Sequence, residues 1–482
     1  MTKKAELVFI PMPGMGHLVS TVELAKLLVH LNSNLSATIL TIKRPYDAKV
    51  SAYVDSLTAT VTTTSRIKFI NLPQPDPDVD VFKFMSRLVQ THGPLVKEVV
   101  TNIVELSNSA PDSPRLAGFV LDMFLTHFID LANEFGVPSY AFYTSGAAFL
   151  GFQFYTQVLH DEQKVEFVEL KDSNTEFTIP SYVNPVSTKL FPVDMFNRES
   201  FTFLHNMVEG LGKMKGIMVN TFSELEPHAV DSLCNGKLQI PPVYPVGPIL
   251  DLASPNRAHQ SYDTIMQWLN EQPRSSVVFL CFGSEGSLSV NQVIEIANAL
   301  EQSGHRFLWS LRRPRKLVNG MKGSLINYEN VSEVLPEGFL DRTAGIGKIT
   351  GWAPQVAILG HPATGGFVSH CGWNSTLESI WFGVPMAAWP LYAEQQMNAL
   401  TLVRELGIAV EIKMDYKAND NEVEIVKAEK IEKVIRWLME QDSNVRKRMK
   451  EMSDKGKKVL VDSGSSHSAI RHFIDHVMNN MP

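Results

Sequence analysis

The chain has 482 residues, of which 44% are hydrophobic, and its 44 Lys or Arg and 51 Asp or Glu give a formal net charge of −7. This length exceeds what one hydrophobic core usually serves, so we expect two domains with the composition of an ordinary soluble enzyme. The charges are spread along the chain without a basic stripe, which argues against nucleic-acid binding.

Near the N-terminus the apolar segment Leu7–Ile10 stops at Pro11 and is too short for the core of a signal peptide. No apolar run approaches the roughly 18 residues that a membrane span needs. The three cysteines, Cys234, Cys281 and Cys371, are far apart and odd in number, which argues against a disulfide framework and a zinc site. These features predict a cytosolic protein with reduced, buried thiols.

Strand-like apolar runs alternate with helical patterns through the first half of the chain, which predicts a parallel sheet wrapped by helices. A proline-rich passage, Ile240–Ile249, ends this half and is followed by a polar segment. The predicted strands of this half are Glu6–Ile10, Thr38–Ile42, Gly118–Leu121, Ser139–Phe142 and Gly216–Val219.

The second half repeats the alternation, with strands at Ser276–Phe282 and Arg306–Leu311 around a helix at Asn291–Ser303. The mixed, charged segment Arg312–Val334 is predicted to be a surface loop. We therefore divide the chain into an N-terminal Rossmann-like domain (1–250), a linker (251–261), a C-terminal Rossmann-like domain (262–460) and a terminal helical segment (461–482) that is expected to pack back on the N-terminal domain.

Unusual polar residues stand just after several predicted strands, at the carboxyl ends where open α/β sheets bind ligands. His17, Asp122 and Thr144 take such places in the first half. Ser284 and Glu394 take them in the second half. Two such domains facing each other across a cleft would bring these residues together.

The first loop contains Gly14-x-Gly16, the beginning of a dinucleotide-binding fingerprint, but Val19 stands where the third glycine belongs. The second strand ends in Lys43-Arg44 instead of the acidic residue that would hold a ribose. Because a pair of cations there suits a 2′-phosphate, an NADP-linked reductase is an alternative function. It does not account for the polar stretch in the second half.

That stretch, Trp352–Gln395, concentrates chemically distinctive residues at the breaks between its apolar runs. Gly366–Ser369 is predicted to be a buried strand that turns at Cys371 into a helix over Asn374–Phe382. The unpaired N–H groups at such a helix start form a seat for an anion such as a phosphate.

A simpler explanation of part of this stretch is that Ser375-x-x-Glu378 is a capping box, which would only close the end of the helix. A cap, however, does not need polar neighbours such as His370 and Asn374 at the same helix start. These neighbours favour a binding site.

The same stretch resembles the signature box of the plant family-1 UDP-sugar glycosyltransferases. That box opens with Trp-Ala-Pro-Gln, carries His-Cys-Gly-Trp-Asn-Ser in its middle and closes with Asp or Glu followed by Gln, and the chain matches it from Trp352 to Gln395. The resemblance implies an α/β fold of the GT-B type, in which two Rossmann-like domains face each other across a cleft. The N-terminal half would then hold an acceptor and the C-terminal half a nucleotide sugar.

The resemblance also implies roles on the donor side. Trp352 would offer a flat face to uracil, with the Ala353 backbone and Gln355 near the base and ribose. Glu378 would accept hydrogen bonds from both ribose hydroxyls. The diphosphate would be held by His370, Asn374, Ser375 and Ser284, and the sugar would be contacted by Trp373, Glu394, Gln395 and Thr144.

His17 is interpreted as the catalytic base. An acceptor hydroxyl is a weak nucleophile at neutral pH, and a positioned imidazole can take its proton as the new bond forms. Asp122 is the residue expected to fix the tautomer of His17 and to stabilise the imidazolium, as in a catalytic triad. The resemblance assigns this dyad to the same two residues, whereas a lone histidine among the 14 of the chain would by default be structural.

We expect no metal. The acidic run Asp76-Pro-Asp78-Val-Asp80 is interpreted as a solvated loop, because it contains prolines and is far in sequence from the donor stretch. The helix dipole and the residues His370–Ser375 are expected to stabilise the departing UDP instead. Glu285 would repel a diphosphate if it pointed inward, so it is expected to face away.

We predict an inverting O-glucosyltransferase that moves glucose from UDP-glucose to a small lipophilic acceptor, phenolic, flavonoid or terpenoid, and forms a β-glucoside. Glucose is preferred because a Gln at the end of the box, here Gln395, goes with glucose donors in the resembling family. UDP-glucose and the acceptor are the expected partners of a cytoplasmic monomer that needs no other cofactor. A non-catalytic nucleotide-sugar binding protein is a further alternative, but it would have a disabled dyad.

The acceptor itself is not predicted. The residues expected to line its pocket, near Met15, Phe124, Phe149, Met195 and Tyr392, are apolar and are explained equally well as core residues.

Overall fold

The computed structural model describes residues 4–43, 48–59, 66–73, 81–109, 112–252, 261–314, 317–318, 321–322, 326–416 and 424–481. Arg44, the acidic run 76–80 and residues 253–260 of the predicted linker lie outside this part of the chain.

The strands of the first half are β1 (Ala5–Ile10), β2 (Leu35–Ile42), β3 (Ile67–Leu72), β4 (Arg115–Asp122), β5 (Ser139–Tyr143), β6 (Glu176–Phe177), β7 (Val186–Ser187), β8 (Ile217–Val219) and β9 (Val243–Pro245). Seven of them form a parallel sheet in the order β3-β2-β1-β4-β5-β8-β9, and β6 and β7 pair separately. Every residue of β1, β2 and β5 is buried. Helices cover both faces of such a sheet, which explains why these strands are mostly apolar in the sequence.

Two strands of this sheet were not predicted. β3 lies at one edge and is mostly half-exposed, so it lacks the continuous apolar run of the central strands. β9 at the other edge is short and contains a proline. Edge strands tolerate both features, and neither has a strong sequence signal.

The strands of the second half are β10 (Val277–Cys281), β11 (Arg306–Ser310), β12 (Arg312–Arg313), β13 (Leu317–Val318), β14 (Met321–Lys322), β15 (Ile326–Asn327), β16 (Gly347–Thr350), β17 (Thr364–Ser369), β18 (Met386–Ala388) and β19 (Ala409–Glu411). Six of them form a sheet in the order β16-β11-β10-β17-β18-β19, and all its neighbouring strands are parallel. The loop predicted at Arg312–Val334 is partly wrong, because β12 pairs with β15 and β13 with β14 in antiparallel ladders.

The α-helices are α1 (Met15–Leu31), α2 (Ala48–Ala59), α3 (Val81–Ser109), α4 (Ile129–Glu134), α5 (Ala147–Asp161), α6 (Arg198–Gly212), α7 (Pro227–Asn235), α8 (Tyr262–Asn270), α9 (Val290–Ser303), α10 (Phe339–Thr343), α11 (Gln355–Leu359), α12 (Trp373–Phe382), α13 (Gln395–Leu400), α14 (Ala428–Met439), α15 (Asn444–Lys458) and α16 (Ser465–Asn479). α9 shows how local sequence defines such a helix. The Ser289 hydroxyl accepts the Gln292 N–H at its start, and Gly304 ends it with a left-handed φ of 65°.

The terminal helix α16 contacts the sheet of the first half. Phe473 packs edge-to-face on Tyr140 of β5, with ring centroids 5.1 Å apart, and on Tyr244 of β9 at 5.5 Å. Ser466 Oγ donates a hydrogen bond to the Gly247 carbonyl. α16 is therefore held by the sheet of the first half, because its apolar face covers that sheet.

Two further predictions concern the whole chain. The cysteines Cys234, Cys281 and Cys371 are all free thiols, and Cys281 and Cys371 are buried as predicted, whereas the prediction of a buried thiol is wrong for Cys234, which is exposed. Among the described residues, no helix combines the length and the apolarity that crossing a bilayer demands.

Candidate active site

His17 and Asp122 meet at the carboxyl ends of two neighbouring strands. β1 and β4 pair in parallel with Ile10 opposite Leu121, and Asp122 is the last residue of β4. His17 lies in the first turn of α1, directly after the glycine-containing loop. Its Nδ1 atom is 2.8 Å from Asp122 Oδ2. The register of the sheet thus joins two residues that are 105 positions apart.

The pair has the orientation that base catalysis requires. Asp122 is buried with 0% of its side chain exposed, whereas the His17 side chain is 27% exposed. A carboxylate accepts hydrogen bonds, so Nδ1–H of His17 donates to Asp122 and Nε2 carries the lone pair. Asp122 Oδ1 accepts the Phe124 N–H at 3.0 Å, which holds the carboxylate in place. Thr144 Oγ1 lies 2.9 Å from His17 Nδ1, a contact that was not predicted.

A largely apolar cavity of about 270 Å³ lies beside this dyad. Phe124, Phe149 and Met195 line it as predicted, whereas Met15 and Tyr392 do not. The wall consists of Met12, His17, Met123, Phe124, Thr144, Ser145, Phe149, Phe152, Gln153, Thr156, Gln157, Pro192, Asp194, Met195, Phe201, Phe203, Leu204, His205, Val208, Ala393 and Glu394. Such a cavity binds a lipophilic molecule and leaves a few polar groups to orient it.

The start of α12 excludes the capping-box alternative. Gly372 is the N-cap residue and no side chain caps the helix, so Ser375 lies inside the first turn. Cys371 has a left-handed φ of 61°, and this turn separates β17 from α12. The N–H groups of the first turn have no intrahelical acceptor, and the helix dipole makes this end attractive to an anion.

His370 follows β17 and is packed between two glycines. A Cβ atom at Gly283 would lie 2.4 Å from His370 Nε2, and one at Gly372 would lie 2.5 Å from it. Burial lowers the pKa of His370 to about 4, so the ring is neutral at pH 7. Within the described part of the chain, its buried Nδ1 has no hydrogen-bond partner. A buried polar atom in this state points to a bound ligand that completes it.

Gln355 connects Ser375 with Glu378. Its Nε2 donates to Ser375 Oγ and to Glu378 Oε2, both at 2.7 Å. Burial raises the pKa of Glu378 to about 7, although the hydrogen bond from Gln355 favours the ionised form. Trp352 is half-buried and Ala353 is buried, and both lie between β16 and α11, which begins at Gln355.

Two residues at the start of α12 contact the first half of the chain. Asn374 Nδ2 donates to the Gly16 carbonyl at 2.8 Å, and Trp373 Nε1 donates to the Asn220 carbonyl at 2.7 Å. The indole N–H is the only hydrogen-bond donor of the Trp373 side chain, and it is already used. The side-chain N–H of Trp373 is thus not available to a sugar hydroxyl, and the predicted contact of Trp373 with the sugar stays a prediction. The indole holds the two halves together.

Glu394 and Gln395 end the stretch Trp352–Gln395, which is predicted to bind the donor and which we call the donor seat. Glu394 lines the cavity and accepts the Ser145 hydroxyl at 3.3 Å. Gln395 is buried, and its Oε1 accepts the N–H groups of Leu391 and Tyr392 at 2.9 and 3.1 Å. Since Oε1 already accepts two backbone hydrogen bonds, any hydrogen bond from Gln395 to a sugar comes from its Nε2 hydrogens.

Ser284 and Glu285 lie in the turn after β10, and both are exposed. β10 pairs with β17, Cys281 opposite Ser369, so Ser284 and His370 follow neighbouring strands of the sheet. This is the crevice in which an open α/β sheet binds its ligand.

Of the cation pair and the acidic run that favoured NADP or a metal, only Lys43 lies in the described part of the chain. Lys43 forms an ion pair with Asp55 at 2.6 Å, so this cation has a partner within the fold. Arg44 and the acidic run Asp76–Asp80 lie outside the described residues.

Glu226 holds the start of α5, which carries part of the cavity wall, and this role was not predicted from the sequence. It is 4% exposed and accepts the N–H groups of Ala147 and Ala148, at 2.8 and 2.9 Å. These are the first residues of α5, which carries the cavity residues Phe149 and Phe152. Burial raises the pKa of the Glu226 carboxyl. No local pattern distinguishes such a carboxylate from an exposed one.

Comparisons with known proteins agree with this geometry. Residues 242–439 match the family model described as UDP-glucoronosyl and UDP-glucosyl transferase. The chain is 51% identical over 490 aligned residues to the UDP-glucose flavonoid 3-O-glucosyltransferase 6 of Fragaria ananassa, with 100% of both chains covered.

Solved structures with the same fold contain nucleotides. A ugt transferase from Siraitia grosvenorii in complex with UDP superposes with a TM-score of 0.87 at 48% identity, covering 98% of this chain and 100% of that chain. Medicago truncatula UGT71G1 complexed with UDP-glucose gives a TM-score of 0.86 at 40% identity, with 99% of each chain covered.

Proposed function

The chain belongs to the UDP-glucoronosyl and UDP-glucosyl transferase family, and we propose that it transfers glucose from UDP-glucose to a hydroxyl group of a small lipophilic acceptor. The family resemblance and the GT-B fold predicted from the sequence are confirmed. The observation that carries the proposal is the hydrogen bond between His17 and Asp122 at the wall of an apolar cavity.

The acceptor is activated by His17. An acceptor hydroxyl in the cavity loses its proton to Nε2 of His17 while its oxygen forms a bond to the anomeric carbon of glucose. The positive charge that develops on the ring is stabilised by Asp122, which already accepts the Nδ1 hydrogen. Base and nucleophile are thus placed on the acceptor side of the cleft.

The departing UDP takes the electron pair of the bond between the anomeric carbon and the phosphate oxygen. Its diphosphate is stabilised by the N-terminus of α12 and by the side chains of Asn374, Ser375 and Ser284. Because His370 is neutral, it contributes a hydrogen bond and no positive charge. Direct displacement inverts the anomeric carbon and gives a β-glucoside from UDP-α-glucose.

The nucleoside lies between α11 and α12. Trp352 stacks on uracil beside Ala353, and Glu378 accepts hydrogen bonds from the ribose hydroxyls next to Gln355. Glu394 and Gln395 contact glucose hydroxyls, and Thr144 supports the same region from the other half. The border position of Glu394 between cavity and donor seat supports this assignment.

Phenolic, flavonoid or terpenoid acceptors suit the cavity. Its aromatic and methionine side chains match an apolar ring system in polarity. A similar protein is named for the 3-O-glucosylation of flavonoids, which supports the same chemistry here. The proposed reaction needs no metal and no redox cofactor.

We also infer a monomer that works in the cytosol. The free thiols Cys281 and Cys371 are buried and fit a reducing compartment. Among the described residues, Val290 and Ile294 on α9 are the only exposed large apolar side chains that share an element. Size-exclusion chromatography and cell fractionation test these two points.

The two alternative functions are not supported. The similar proteins carry glycosyltransferase names, and none of the features that favoured a reductase forms a nucleotide site in the described residues. A binding protein without activity would not retain the complete dyad.

The test is acceptor-dependent UDP release from UDP-glucose, measured with a panel of phenolic and terpenoid alcohols in the presence of EDTA. We expect release with the native chain and with His472→Ala, which changes an exposed histidine on α16. His17→Ala should stop release while UDP-glucose still binds in calorimetry. Absence of release with every acceptor, or an unchanged rate in His17→Ala, would contradict the proposal.

A further inference from the structure

A second group of ligand side chains lies on the outer side of the acceptor cavity. His160 and Asp161 are the last two residues of α5, and His205 lies on α6. One ligand atom from each of them falls within 4.8 Å of the others. His205 Nε2 and Asp161 Oδ1 are 2.7 Å apart, and the His160 and His205 rings have centroids 5.2 Å apart.

His160 is held in the manner of a metal ligand. Its Nδ1 donates a hydrogen bond to the Val165 carbonyl at 3.2 Å, which leaves the lone pair on Nε2. Metal-binding histidines commonly donate their second N–H to a backbone carbonyl in this way. Phe201 packs edge-to-face on the His160 ring with centroids 4.9 Å apart and restricts its rotation.

The helix end favours a cation, although Lys164 and Lys213 bring positive charge close to this group. His160 and Asp161 lie in the last turn of a 15-residue helix, where the dipole is negative. The Glu209 carboxylate is close enough for both His205 and Asp161 to act on its pKa, although its ion pair with Lys213 offsets part of its charge. Lys164 Nζ already donates a hydrogen bond to the backbone carbonyl of Asp161, so the metal ligand that Asp161 offers is its side-chain carboxylate.

We propose that His160, Asp161 and His205 form a binding site for a divalent transition metal of the Zn²⁺ class. Two imidazoles and one carboxylate suit such ions, and a water molecule would complete a tetrahedral set. On binding, His205 Nε2 gives up its hydrogen bond to Asp161 and coordinates the metal, and the ring hydrogen moves to Nδ1. The chemistry of transfer does not involve this site, which lies on α5 and α6 and not at the start of α12.

The site is connected to the acceptor cavity. His205 and Phe201 line that cavity, and α5 carries Phe149 and Phe152 in the same wall. A metal that joins α5 to α6 therefore changes the position of His205 and restrains the wall. This consequence rests on the proposed function, and it predicts that bound metal alters the KM for the acceptor and leaves the KM for UDP-glucose unchanged.

Metal binding is tested without any activity. The full chain, free of affinity tags and treated with EDTA before desalting, is titrated with Co²⁺ while its visible absorption is followed, and with Zn²⁺ in calorimetry. We expect one equivalent to bind, with an affinity reduced at least tenfold in His160→Gln, in His205→Gln and in Asp161→Asn. His472→Gln, which alters an exposed histidine on α16, should bind metal like the native chain.

Other results would overturn the proposal. The native chain could fail to give a Co²⁺ absorption spectrum, or the double variant His160→Gln/His205→Gln could bind metal with the same affinity as the native chain. Loss of metal binding in His17→Ala alone would place the metal on the dyad. Steady-state kinetics with saturating Zn²⁺ then test the connection to the cavity. An unchanged acceptor KM in a chain that binds Zn²⁺ would overturn that connection only, and an inactive chain that binds Zn²⁺ would contradict the proposed function only.

Discussion

The donor seat and the acceptor cavity are built in opposite ways. Nearly all the proposed donor residues come from one contiguous stretch, Trp352–Gln395, and most of them are polar or placed at backbone turns. The cavity is assembled from side chains between Met12 and Val208, with Ala393 and Glu394 from the other half, and most of these side chains are apolar.

The difference follows from the two ligands. A nucleotide is recognised by directional hydrogen bonds and by an anion seat, so the geometry of one strand, one turn and one helix must be held closely. A lipophilic acceptor is recognised by non-directional apolar contact, which many combinations of side chains can supply. Substitutions in the donor seat should therefore be costly for every acceptor, whereas those in the cavity should change which acceptor is preferred.

The largest effect is expected at the dyad, which lies at the wall of the cavity. Asp122→Asn removes the negative charge beside His17 and favours the tautomer that carries hydrogen on Nε2, so kcat should fall by about 10³-fold. UDP-glucose should bind with unchanged affinity in calorimetry, because Asp122 contacts only the acceptor side. A normal kcat would show that Asp122 does not fix the tautomer of His17 or stabilise its imidazolium.

A clash at the diphosphate end of the donor seat should have the next largest effect. Gly283→Ala puts a Cβ atom 2.4 Å from His370 Nε2, on a residue whose φ is +78°. Displacement of the ring should weaken UDP-glucose binding by about tenfold or more, the order of one lost charge-assisted hydrogen bond. Calorimetric titration measures this loss.

Gly304→Ala is its matched control. Gly304 has a similar φ of +65°, but an added Cβ atom would meet nothing within 4 Å. Both variants share the backbone strain, of the order of 1 kcal/mol in stability, and only the first disturbs His370. Equal UDP-glucose affinity in the two variants would show that His370 does not contribute to UDP-glucose binding.

The donor seat should also depend on pH. Burial raises the pKa of Glu378 to about 7 in the free protein, and the ribose hydroxyls bind the ionised carboxylate. Ionisation is complete above this pKa, so UDP-glucose affinity should be full at pH 8 and fall as the pH drops through 7. The expected loss between pH 8 and pH 6 is about tenfold, from the fraction ionised at each pH.

UDP-glucose is the suitable ligand for that titration, because both of its phosphates are esterified and neither titrates in this range. Glu378→Gln should bind more weakly at pH 8 and should lack this pH dependence. A persistent slope in Glu378→Gln would assign the titration to another group.

A smaller effect is expected where the two regions meet. Gln395→His removes one acceptor for the N–H groups of Leu391 and Tyr392 and replaces the amide hydrogens that are proposed to bind the sugar. The ratio of kcat/KM for UDP-glucose to that for UDP-galactose should fall by about tenfold, the effect of one hydrogen bond. An unchanged ratio would remove the basis for assigning glucose.

The smallest effect is expected inside the cavity. Phe203→Leu shortens a half-buried wall residue that stacks on Phe124 with centroids 6.3 Å apart. The KM for aromatic acceptors should rise about threefold to tenfold, from the loss of about 1 kcal/mol of aromatic contact, with the KM for UDP-glucose unchanged. Phe135→Leu makes the same change outside the cavity wall and should alter neither KM. A parallel rise of both KM values would mean that the two regions are not separable.

Much of the fold could be predicted from local sequence. The buried strands β1, β10 and β17 are continuous apolar runs, so their positions were predicted to within a few residues. The edge strands β3 and β9 were missed because exposure on one side removes that pattern. The short ladders between Arg312 and Asn327 were missed because pairs of two residues have no periodicity.

The chain's sequence by itself determined the donor stretch, because a strand, a turn and the helix after it form an anion seat from neighbouring residues. Tertiary structure decided the rest. It placed Thr144 beside His17 and brought the Trp373 indole N–H within hydrogen-bond distance of the Asn220 carbonyl. It also placed the buried Glu226 carboxylate at the start of α5. It also brought His205 to Asp161. Each of these contacts joins residues far apart in the chain, and it exists only because the order of strands and the packing of the two halves bring them together, which no local pattern encodes.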